Sequence, residues 1–83
     1  MVWEAATEGK FKLLISKIPV FHRHITESTV IHQAEAIAGN RNSNKVQEQD
    51  VVAAFFSDVP SPFYSMMIRL LEQNNFDYKK LKS

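Results

Sequence analysis

A chain of 83 residues with ten Lys+Arg against nine Asp+Glu, formal charge +1, has room for one hydrophobic core and little long-range attraction for phosphate or lipid headgroups. With no cysteine, it excludes disulfides, thiolate zinc sites, cysteine-ligated iron–sulfur clusters and cysteine nucleophiles of its own. A domain this small buries only about 60–65% of its unfolded surface, so a protein partner or a second copy would contribute appreciably to its stability.

The apolar residues recur at three and four rather than at two, which favours helices throughout. In the first helix Phe11, Leu14, Ile15 and Ile18 share a face, with Trp3 and Ala6 leading in. Pro19 ends it, because the ring lacks an N–H and restricts the residue before it, and then suits the first turn of the next helix. That second helix, about Val20 to Ala38, is expected to close at Gly39, where positive φ is tolerated. It is apolar on two sides: Phe21, Ile25, His32 and Ala36 on one, Val30, Ala34, Ile37 and Ala38 on the other, with Val20 and Ile31 nearby. A polar sector at His22, Thr26 and Gln33 separates them, and the pattern reads as the central helix of the domain.

A polar loop, NRNSNK, follows, then Val46 alone, then QEQD, whose acidic residues suit a helix N-terminus. DVVAAFF makes a short third helix, and the prolines at 60 and 62 break the chain after it. Pro62 can open a fourth helix over about 62–74, with Phe63, Met66, Met67 and Leu70 on one stripe. The tail from 75 reads as a last turn or a flexible end. Residues 1–83 thus read as one all-α domain of about four helices around a long second helix. Trp3, Phe11, Leu14, Phe21, Ile25, Ala34, Ile37 and Val51 are its expected core, and His32 is expected to be packed and hydrogen-bonded.

The residue types that carry chemistry do not converge. Residues two apart on a helix point roughly 200° from one another, so His22 and His24 cannot chelate one metal. His32 lies roughly 15 Å beyond His22 along the same helix. Glu4 and Glu8 read as a solvated face, Glu48 and Asp50 as charge at a helix start. Seven serines have no positioned base, and no phosphate-cradling glycine loop, H-E-x-x-H or calcium loop is present. The expectation is no catalytic residue, no metal and no cofactor, and no activity as an isolated enzyme. His22, Arg23, His24, Arg41, Lys45, Met66 and Met67 form the candidate interaction surface, for a protein partner or for self-association. The N-terminus has no basic region followed by an apolar run, and VVAAFF, the longest apolar stretch, is far too short to cross a bilayer, so a soluble, cytoplasmic chain is expected.

Trp3, Ala6, Leu14, Ile18-Pro19, Phe21 and Arg23, then Ala34 after a full helix, then Val46 and DVVAA, together resemble a known small domain. It is the small C-terminal domain found in light-independent protochlorophyllide reductase, which also has stand-alone relatives. The resemblance covers about the first 55 residues, and the fourth helix lies outside it. It departs from the pattern at Glu27, where a second basic residue is expected a turn after Arg23. In that family the large subunits hold the iron–sulfur and substrate chemistry. The resemblance therefore implies a non-catalytic accessory or docking module serving a redox or tetrapyrrole-related complex. A second likeness is to the histone fold. AEAIAG, the polar loop and VQEQDVVAA resemble the latter half of its archaeal type, where a long central helix, a short extended residue and a short helix pair in a dimer. It implies DNA phosphates meeting Arg41, Lys45 and Arg23.

Overall fold

Val2 and Trp3 do not lead directly into the first helix; they are extended, and as strand β1 (Val2–Trp3) they pair in parallel with β2 (Lys45–Val46). The computed structural model describes residues 1–58, 61–74 and 76. Its helices are α1 (Ala5–Ser16), α2 (Val20–Asn40), α3 (Glu48–Asp58) and α4 (Tyr64–Gln73), the last preceded by a 3₁₀ turn over Ser61–Phe63. The all-α fold with a long second helix is as expected. The strand pair was not, because two residues are too few to show an alternating pattern. Pro60 and the tail positions 75 and 77–83 lie outside the described residues.

Each break has a local cause. Glu4 is extended, and its side chain accepts a hydrogen bond from the Thr7 hydroxyl at 2.7 Å, while its backbone N–H donates to the Val46 carbonyl at 2.9 Å. Thus one residue both starts α1 and extends the strand clasp. At the other end of α1, Lys17 and Ile18 donate to the Leu14 and Ile15 carbonyls in a tightened last turn before Pro19. α2 does not close at Gly39: it runs to Asn40, and the left-handed residue is Asn42, with φ 61°. Asn42 donates to the Gly39 carbonyl at 3.0 Å and Ser43 to that of Ala38 at 2.9 Å, the paired bonds of a Schellman cap. Asparagine tolerates this conformation better than most side chains, which lets it take the role expected of glycine.

The core is built where the four helices face one another. α1 contributes Phe11, Leu14, Ile15 and Ile18, and α2 contributes Val30, Ala34 and Ala38. Val51, Val52, Ala54 and Phe55 come from α3, Met67 and Leu71 from α4, with Val46 and Phe76 closing the ends. Ala34 and Ala38 are small and fully buried, which lets α3 lie close against α2, its most extensive packing partner. Trp3 and Ile37 are half-buried at the edge of this core. The Trp3 ring sits 5.2 Å from that of Phe11, and its indole N–H donates to Glu35 Oε2 at 3.0 Å. Trp3→Phe keeps the ring contact and removes that bond, so a loss of about 1 kcal/mol is expected in denaturant unfolding followed by circular dichroism.

Two expected core residues are not in the core. Phe21 is 90% exposed and Ile25 67%, and His32, expected to be packed, is exposed as well. The reason is coverage: α1 and α3 pack against the Val30, Ala34 and Ala38 side of α2, and the Phe21, Ile25, His32 and Ala36 stripe is left facing solvent. Phe11, Leu14, Ala34 and Val51 are buried as expected.

Candidate functional site

An apolar groove of about 770 Å³ opens between the end of α1, the first half of α2 and α4. It arises because Pro19 turns the chain sharply between α1 and α2, while α4 returns to cover only part of the gap. Ile18, Val30, Phe55 and Met67 form its buried walls, and Ile25, Phe63 and Met66 stand around it half or more exposed. Among the described residues, its ionisable lining residues, Lys17, His22 and Arg69, are all bases. Val20 and Phe21, 70% and 90% exposed, occupy the same end of α2. Isolated exposed apolar side chains are ordinary, but several contiguous ones of this size mark a surface meant to be covered.

The residues singled out in the sequence divide among three places. His22, Met66 and Met67 line the groove, Met66 exposed and Met67 buried. His24 is exposed on another side of α2, as the two-residue spacing requires. Arg23 is turned inward: its guanidinium donates to the Ile18 carbonyl at 3.0 Å and the Ser16 carbonyl at 3.1 Å, satisfying carbonyls at and beyond the end of α1 and pinning the α1–α2 corner. Arg41 and Lys45 lie at the far end of α2, roughly 28 Å along the helix from His22. Lys45 is exposed.

Arg41 has a structural partner that its place in the sequence does not reveal. Its Nε donates to Asp50 Oδ1 at 2.7 Å and its Nη2 to Asp50 Oδ2 at 2.8 Å, the parallel fork that arginine makes with a carboxylate. Asp50 is fully buried in the first turn of α3, and its Oδ2 also accepts the Gln47 backbone N–H at 2.8 Å. The hydrogen bonds to Asp50 raise the Arg41 pKa above its ordinary value, so this cation stays charged in any usable buffer. Asp50 was readable as helix N-terminal charge; its partner across the loop was not.

The carboxylates weighed for catalysis have ordinary roles. Glu4 accepts from the Thr7 hydroxyl, Glu8 lies 3.9 Å from Lys12 one turn along α1, and Glu48 pairs with Lys10. Among the described residues no three histidine, aspartate or glutamate side chains gather into a possible metal site, and no helix is long and apolar enough to cross a membrane. The groove residues missed in the sequence, Lys17, Ile18, Phe55 and Arg69, come from different helices and the α1–α2 corner, and only tertiary packing brings them together. Set against known proteins, the chain matches no family model, no curated protein and no solved structure.

Proposed function

We propose that this chain is a cytoplasmic, non-catalytic accessory module that docks a larger protein of a redox or tetrapyrrole-related complex through the groove between α2 and α4. The observation that carries the reading is the groove itself, apolar within and edged by Lys17, His22 and Arg69. An acidic, apolar-centred surface of a partner complements it in both respects. The spacing that resembles the protochlorophyllide reductase small domain supports the choice of partner class, because there the chemistry resides in the large subunits. The iron–sulfur-bearing large subunits of a light-independent protochlorophyllide reductase are the first partner to try. Co-elution with the full chain on gel filtration is expected, and Met66→Glu, at a half-exposed groove position, is expected to abolish it. Failure of the wild-type chain to co-elute at high micromolar concentration would overturn this choice of partner.

The histone-like alternative depends on free cations at the α2–α3 loop. Arg41 is committed to Asp50, which leaves Lys45 as the exposed cation of the pair considered. Duplex DNA is therefore expected to bind no tighter than about 10⁻⁴ M at physiological salt, measured by fluorescence anisotropy. Micromolar binding, with a salt slope that falls by about one unit in Lys45→Ala, would instead favour the DNA reading. Lys45 is the clean probe, since removing Arg41 would also disturb the fold.

A further inference from the structure

The outer stripe of α2 has the pattern of a helix-pairing seam. Phe21, Ile25, Ser28, His32 and Ala36 follow one another in steps of four, three, four and four, and every one of them is exposed. Such spacing keeps one line of side chains facing a partner helix over four turns.

We propose that this stripe pairs with the same stripe of a second copy of the chain, antiparallel, about a two-fold axis beside Ser28 and Thr29. The order of side-chain sizes along the seam argues for it. A two-fold at that point sets Phe21 opposite Ala36 and Ile25 opposite His32, so the bulkiest side chain meets the smallest. Ser28, at the crossing, is small enough to let the two helices approach. A two-fold interface uses one patch twice, so it must be self-complementary in this way. A parallel pairing would place Phe21 on Phe21 and leave a gap at Ala36. The same antiparallel operation brings the partner's Glu35 to the flank that carries His24, so a base meets an acid there.

The area is also adequate. From the exposures of Val20, Phe21 and Ile25, the uncovered apolar side chains on α2 amount to roughly 400 Å², within the range of the largest patches monomers show. That is about half of the roughly 800 Å² each partner of a stable complex buries, close to the apolar share of an ordinary interface, and the polar flanks of α2 supply the remainder. Ile25 belongs to the groove lining as well as to the stripe, and the tests below read self-association alone, so the pairing can fail while the docking function proposed above stands.

Sedimentation of the full chain across the micromolar range tests it. The expected species has twice the 9.5 kDa mass of one chain. Ile25→Glu puts a charge in the seam and is expected to weaken association on the order of a hundredfold, the scale of losing an interface hot spot. Its far-UV circular dichroism should be unchanged, because Ile25 is already 67% exposed in a single copy. As the chain has no cysteine, Ser28→Cys provides a register probe. It should cross-link two copies on mild oxidation, whereas Glu8→Cys, exposed on α1, should not. A monomer at high micromolar concentration, a dimer that survives Ile25→Glu, or equal cross-linking of the two cysteine variants would each overturn the proposal.

Discussion

Arg41→Ala is expected to destabilise the fold by about 3 kcal/mol, a large share of the stability of a domain this size. The cost comes from what remains, because Asp50 would be left fully buried with its counter-ion gone and, among the described residues, only the Gln47 N–H to satisfy it. The figure sits at the low end for a broken buried pair, since the Arg41 side chain is itself one-third exposed and water can reach the space it vacates. Arg41→Lys keeps the charge but not the fork, and should fall between wild type and alanine. Urea unfolding of the three proteins measures the order. A loss below about 1 kcal/mol for Arg41→Ala would mean that the pair behaves as a surface ion pair, of little worth.

Leu14→Ala is expected to cost about 3–4 kcal/mol, whereas Phe21→Ala, which removes a larger side chain, should cost less than about 1 kcal/mol in a single copy. Leu14 is 1% exposed, against the walls of the groove and core, so its truncation opens a cavity that neighbouring helices cannot fully close. Phe21 is 90% exposed, and its truncation leaves no void. The comparison belongs in the Ile25→Glu background, where association does not add to the measured stability. Equal losses at the two positions would show that Phe21 packs against the chain's own core after all.

These two cases also show how much was legible in the residues themselves. Helix number, the break at Pro19 and the dominance of the second helix followed from periodicity and from the chemistry of proline, which act over a few residues. Phe21 and Ile25 were placed inside because α2 is apolar on two sides, and periodicity marks an apolar face without saying which neighbour covers it. The Arg41–Asp50 fork was hidden for a different reason. Its members lie on opposite sides of a loop whose path depends on the left-handed turn at Asn42, and each had a sufficient local explanation alone. The groove was the least legible part, since its walls come from separate helices and exist only once those helices are packed.

The clasp between β1 and β2 bears on how long the folded state lasts. Pairing Val2 with Lys45 and Trp3 with Val46 closes a loop that contains both α1 and α2, so it cannot form cheaply until those helices have docked. The helices span shorter loops and are expected to come together earlier, which puts the strand contact on the native side of the folding barrier. Weakening the clasp should therefore leave the refolding arm of a chevron plot nearly unmoved and raise the rates along the unfolding arm. The two short strands would act as a latch, setting the lifetime of the native chain and not the speed with which it is reached.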